Sequence, residues 1–176
     1  MLAPELYDRI GTGYREYRRS DPRIMAAIVT ALSDCQTVLN VGAGTGSYEP
    51  MERYVVAVEP SETMIRQRRA DGAPVVRASA MNLPFTDDSF DAALALLTVH
   101  HWPDQPRGLR EMLRVANRCI VFTWDYSHAG MWLTQDYFPE MAEQANTIFH
   151  PVDFYREAFG HQELSRAPTL NVKAKI

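Results

Sequence analysis

Two hydrophobic patterns alternate along the chain. Short apolar runs, most of them rich in β-branched residues, fall at Thr37–Val41, Val55–Val58, Val75–Arg77, Phe90–Leu97 and Cys119–Trp124, and read as buried strands. Segments with a helical period lie between most of them, at Asp21–Leu32, Ser61–Ala70 and Gln105–Val115. In the last, Leu109, Met112, Leu113 and Ala116 form one stripe, with Arg107, Arg110, Glu111 and Arg114 largely opposite. Near-continuous apolar strands separated by helices predict a mostly parallel sheet covered on both faces, and right-handed crossovers make it a doubly wound, Rossmann-like α/β fold. Asp21 before Pro22 predicts one helix start, and Ser61 predicts another. Beyond Trp124 the alternation breaks up. Tyr126–Phe149 is aromatic-rich and predicted helical with an interruption at Pro139, and residues 167–176 have room for one strand. The expected organisation is a single domain over 1–176, with 125–165 a helical cover.

The first strand runs into Gly42-Ala43-Gly44-Thr45-Gly46, and the second ends in Glu59, seventeen residues after Gly42. Glycines let the chain turn sharply and let a ligand approach the backbone without meeting a Cβ. Exposed amides at a following helix start would face polar groups. A carboxylate at the end of the second strand, across the switch in strand order, can accept from both hydroxyls of a ribose. Turn and carboxylate together therefore predict an adenosine-bearing ligand. A dinucleotide-binding oxidoreductase needs G-x-G-x-x-G, whose third glycine is here Ser47. Glu49 and Glu52, read as lying at the helix start, would also oppose a pyrophosphate by about 0.3–1 kcal/mol each.

Charge narrows the partners. With 22 acidic against 18 basic residues and a net charge of −4, and without five clustered basic residues, the chain is predicted not to bind nucleic acid. Arg66, Arg68 and Arg69 read as a solvated helix face. Cys35 and Cys119 are far apart and match no metal-binding spacing, so reduced thiols and no metal are expected. The acidic start of the chain does not resemble a signal peptide, and no run of about 18 apolar residues is present to span a membrane, so a cytoplasmic location is expected.

Four segments in order carry a resemblance: VLNVGAGTG at 38–46, VVAVEPSETMI at 55–65, ASAMNLPFTDDSFDAALAL at 78–96 and LTVHHWPDQPRGLREMLRV at 97–115. In these the chain resembles the class I S-adenosylmethionine-dependent methyltransferases, in particular the type 11, quinone-biosynthesis-like branch that acts on small molecules. The resemblance implies S-adenosylmethionine as cofactor. Gly42, Ala43 and Gly44 would contact its methionine end and Glu59 its ribose. Pro60 and Met64 would pack on the adenine, Ser79, Ala80 and Met81 would border the adenine's polar edge, and Leu97, Thr98 and His101 would line the methyl-transfer region. Asn40 and Ser79 stand where the family often has Asp, which implies looser cofactor binding, since a charged acceptor is worth about 1.5–3 kcal/mol against about 0.5–1.5 for a neutral one.

Methyl transfer from a sulfonium chiefly requires that nucleophile and methyl carbon be held close, aligned and dry. His101 is the candidate base, with ordering of its loop the stronger expectation, and the catalytic residue stays unassigned. Tyr7–Arg19 resembles the family's cap over the cofactor. Trp124, Asp125, Tyr126, Trp132, Tyr137 and Phe138 would suit a flat or lipophilic acceptor if folded over the pocket. Only residues 125–176 follow Trp124, so the sheet is expected to lack the family's closing strand pair, and the exposed edge makes a homodimer a candidate. The alternatives are a catalytically silent S-adenosylmethionine-binding or regulatory module and, after it, an NAD-type oxidoreductase.

Overall fold

The computed structural model describes residues 20–124 and 149–159. Its five strands are β1 (Thr37–Val41), β2 (Tyr54–Val58), β3 (Val75–Val76), β4 (Phe90–Leu96) and β5 (Ala116–Phe122). They form one parallel sheet in the order β3-β2-β1-β4-β5. The chain winds from β1 outward to β3, returns to the other side of β1 with β4, and leaves a switch point between β1 and β4. The expected doubly wound, Rossmann-like α/β fold is thus present, with an unclosed sheet among the described residues.

The helices are α1 (Pro22–Leu32), α2 (Glu62–Arg66), α3 (Gln105–Val115) and α4 (Val152–Ala158). Asp21 caps α1 by accepting from the Arg23 amide, and Ser61 caps α2 by accepting from the Met64 amide. Asp104 does the same for α3 through the Arg107 amide. Ile24, Ile28 and Leu32, one α-helical turn apart, carry α1 onto one face of the sheet beside Val38, Val55, Ala92 and Leu94. The neighbouring strand positions Leu39, Val41, Ala93 and Ala95 point the other way, into a core shared with Leu109, Met112 and Val115 of α3 and Tyr155 of α4. Of the expected helical cover, α4 is the described part, and it packs on this second core; residues 125–148 and 160–165 lie outside the described residues, as do Tyr7–Arg19 and 167–176.

Gly108 sits inside α3, where glycine ordinarily costs about 1 kcal/mol against alanine. A Cβ there would lie 2.4 Å from Trp102 Cε3 and 2.7 Å from Cζ3. The glycine makes room for the Trp102 ring, which is 8% exposed against the helix. On the same helix, Arg114 and Glu111 are not free surface charges. Glu111 takes two hydrogen bonds from Arg114 and one from the Leu83 amide, while Arg114 also donates to the carbonyls of Leu83 and Phe85 and to Asp87. They fasten the 83–87 segment to α3.

Candidate functional site

The glycine turn leaves the carboxyl end of β1 at the switch point, where α/β sheets form ligand crevices. Gly42, Gly44 and Gly46 all have positive φ, at 69°, 53° and 84°. The Gly42 and Ala43 amides donate to the Val58 carbonyl at 2.8 and 3.0 Å, so the turn folds over the end of β2. A Cβ on Gly42 would stand 2.1 Å from Thr98 Oγ1. Thr98, buried just past the end of β4, therefore forms the wall against which this glycine is pressed.

Glu59 is 6% exposed at the end of β2. One carboxylate oxygen accepts from the Gly44 amide at 2.8 Å and the other from the Ser61 amide at 2.9 Å. This engagement ties the glycine turn to the start of α2. Met64, 4% exposed on α2, brings its Cε to 3.4 Å from the position of a Cβ on Gly44, and Pro60 is half-buried beside it in sequence. Beyond β3, Ser79 is exposed and bridges to Asn82, and its hydroxyl accepts from the Met81 amide at 3.3 Å. Ala80 is buried in the core with half-buried Met81 packed against it.

At the end of β4, Leu97 leaves the strand with φ 53°, a conformation that costs an L-residue about 1–2 kcal/mol. Its amide donates to the Phe122 carbonyl at 2.7 Å, which ties the turn to β5. The predicted strand stops one residue earlier than expected for this reason. Val99–His101 then forms a 3-10 turn, with the His101 amide donating to the Thr98 carbonyl at 2.8 Å. The His101 ring lies against His100 at 3.8 Å between centroids with the planes tilted by 52°, and His100 against Phe149 at 4.5 Å with a tilt of 37°.

Two expectations require correction. No helix follows the glycine turn: residues 42–53 run to β2 as consecutive turns. Pro50 disfavours helical backbone at Glu49, and twelve residues are barely enough for a parallel crossover. The argument that Glu49 and Glu52 at a helix start oppose a pyrophosphate therefore falls, and Ser47 is the remaining residue-level objection to a dinucleotide. Second, Arg68 is not on a solvated face. α2 ends at Arg66, and the Arg68 guanidinium pairs with Glu49 at 2.7 Å, with only 5% and 8% of the two side chains exposed. Arg66 and Arg69 are exposed, as expected. Sequence reasoning missed this pair; Pro50 signals only that Glu49 does not sit on a helix, and nothing local points to Arg68 as its partner.

Asn40, 3% exposed, donates from Nδ2 to Glu49 Oε1 at 3.1 Å. Its Oδ1 is buried with no hydrogen-bond partner among the described residues. Cys35 and Cys119 are free thiols, and burial pushes Cys119 up to about 12. No helix among the described residues is long and apolar enough to cross a membrane.

With this geometry in place, comparison with known proteins is informative. Residues 39–118 match the family "Methyltransferase domain". The chain is 39% identical over 82 residues to demethylmenaquinone methyltransferase of Corynebacterium urealyticum, covering 44% of this chain and 36% of that one. It is 26% identical over 115 residues to tRNA (carboxymethyluridine(34)-5-O)-methyltransferase of Arabidopsis thaliana, covering 62% of this chain and 28% of the relative. The chain thus spans roughly a third of the length of these curated relatives. Among solved structures, a SAM-dependent methyltransferase from Thermotoga maritima superposes with a TM-score of 0.68 at 26% identity, over 88% of this chain and 79% of its own.

Proposed function

We propose, for a chain that belongs to the S-adenosylmethionine-dependent methyltransferases, that it transfers the methyl group of S-adenosylmethionine to a small-molecule acceptor. The observation that carries this reading is Glu59, a buried carboxylate at the end of β2 whose two oxygens already hold the Gly44 and Ser61 amides. It joins the ribose position to the glycine turn in one side chain.

The residues present fit the cofactor. Gly42, Ala43 and Gly44 offer a backbone without side chains beyond Cβ, and the buried, unpartnered Asn40 Oδ1 is an acceptor suited to an ammonium. Met64 and Pro60 would hold the adenine, with exposed Ser79 and half-buried Met81 at its edge and Ala80 in the core behind them; Leu97 and Thr98 would close the methyl-transfer side. When bound, S-adenosylmethionine supplies a methyl group on a cationic sulfonium. The chain's own task is then to align and to exclude water. His101, held in the 98–101 turn with its ring against that of His100, orders that turn, and a base role is required only for an acceptor that must lose a proton.

A small-molecule acceptor is supported by the net charge of −4, by the lack of a basic cluster in the sequence and by the likeness to a quinone-precursor methyltransferase. The likeness to tRNA-modifying enzymes makes tRNA the competing acceptor. A homodimer and a cytoplasmic location belong to the same proposal.

The test is titration of the chain with S-adenosylmethionine beside its Glu59→Ala variant. A loss of tenfold or more, on the order of 1.4 kcal/mol, is expected; unchanged affinity removes the ribose assignment. Methyl transfer to tRNA but to no member of a small-molecule panel would replace the acceptor class. Cofactor binding with transfer to neither would favour a silent binding module.

A further inference from the structure

In place of a helix, the segment between β1 and β2 carries a buried ion pair beneath the glycine turn. Both Glu49 oxygens lie 2.7 Å from Arg68 Nη2, and Glu49 Oε1 also accepts from Asn40 Nδ2 at 3.1 Å. Arg68 Nη2 donates in addition to the Ala73 carbonyl at 3.2 Å, and its Nη1 donates to the Gly44 carbonyl at 3.2 Å. A Cβ on Gly46 would meet Glu49 Oε2 at 2.9 Å and Arg68 Nη1 at 3.1 Å, so the pair is packed directly against the turn as well as bonded to it.

A buried pair of this kind is a poor source of net stability, because the desolvation of both charges offsets most of their attraction. Its geometry, by contrast, is specific. The planar guanidinium fork spans three groups from two nitrogens, Glu49 and the Ala73 carbonyl from Nη2 and the Gly44 carbonyl from Nη1, a separation that the single nitrogen of a lysine does not cover. Glu59 holds the amide of Gly44 from one side while Arg68 holds its carbonyl from the other. Together they fix both ends of that residue.

We infer that Glu49 and Arg68 are positioning residues that set the Gly42–Gly46 turn for the amino-acid end of the cofactor, a role that rests on the reading proposed above. Asn40 is drawn into the same arrangement, since Glu49 orients its amide and so decides where the free Oδ1 stands. A carboxylate is thereby present near this end of the site, one residue removed from contact and neutralised by Arg68.

The experiment compares two ligands that share adenosine and a thioether sulfur: S-adenosylhomocysteine, which carries the amino-acid group, and 5′-methylthioadenosine, which lacks it. The variants are the double substitution Glu49→Leu/Arg68→Met, which leaves no unpaired buried charge, and Arg68→Lys, which keeps the charge without the fork. The expected result is a loss of about tenfold in S-adenosylhomocysteine affinity for the double variant, with methylthioadenosine changed by less than about twofold. Arg68→Lys should show an intermediate, equally selective loss, which keeps the proposal open to refutation if the double variant does not fold. Equal weakening of both ligands, or no change in either, would overturn it. Failure of the unsubstituted chain to bind either ligand would instead overturn the functional reading beneath it, and the proposal with it.

Discussion

Replacing Gly42 with alanine tests the geometry of the site at its tightest point. Two costs are separable. Alanine must adopt φ near 69°, which is unfavourable by about 1–2 kcal/mol for a residue with a Cβ. The new methyl also lands 2.1 Å from Thr98 Oγ1, 2.9 Å from its Cβ and 3.0 Å from its Cγ2, and such overpacking typically costs about 1–3 kcal/mol. The sum, about 2–5 kcal/mol, is large beside the 5–15 kcal/mol that ordinarily holds a domain together. Removing the Thr98 side chain deletes all three of these atoms but leaves the backbone strain. Gly42→Ala should therefore cost only about 1–2 kcal/mol in a Thr98→Gly background, a coupling of about 1–3 kcal/mol. Urea denaturation of the four proteins measures it. Equal costs in both backgrounds, within about 0.5 kcal/mol, would show that Thr98 is not the wall of the turn.

Three further outcomes are expected. Gly108→Ala should lower the melting temperature despite alanine's better helix propensity, because the new Cβ meets Trp102 at 2.4 Å; a raised melting temperature would refute that packing. Arg114 hydrogen bonding holds the Glu111 carboxyl below the usual glutamate range, with the Leu83 amide adding to it against the opposing effect of burial. A depressed carboxylate contributes stability above its unfolded value and loses it as pH falls through its folded value, so Glu111→Gln should flatten the loss of stability as pH falls through and below the usual glutamate range, while lowering stability at neutrality; identical acid profiles for the two proteins would contradict the assignment. Cys119, pushed up to about 12 by burial, should react slowly with a disulfide reagent at pH 8 in the native chain and rapidly in denaturant, and fast native labelling would count against its burial.

Much of the fold could be read from the residues because local signals agreed with one another. Asp21-Pro22 and Ser61 mark helix starts through the physics of unsatisfied amides, and both cap as expected. The β1 and β4 patterns were plain because strands buried on both faces are nearly continuous in apolar residues, Asn40 and Asp91 being the interruptions. The failures came where tertiary contacts override local pattern. Helical spacing put Arg68 on an exposed face, yet the helix stops two residues short of it and a carboxylate nineteen positions earlier takes its charge. β5 begins at Ala116 rather than Cys119, since the exposed Asn117 and Arg118 hide its start from a hydrophobic reading. At the site, Gly42, Gly44 and Glu59 were legible as types, but the grip of Thr98 on Gly42 required the switch in strand order to bring β4 beside β1.

The most direct measurement is a calorimetric titration of the purified chain with S-adenosylhomocysteine and, separately, with NAD. Saturable binding of S-adenosylhomocysteine at one site per chain, with no heat from NAD, is the predicted result. Binding of NAD with no response to S-adenosylhomocysteine would contradict the account at its centre.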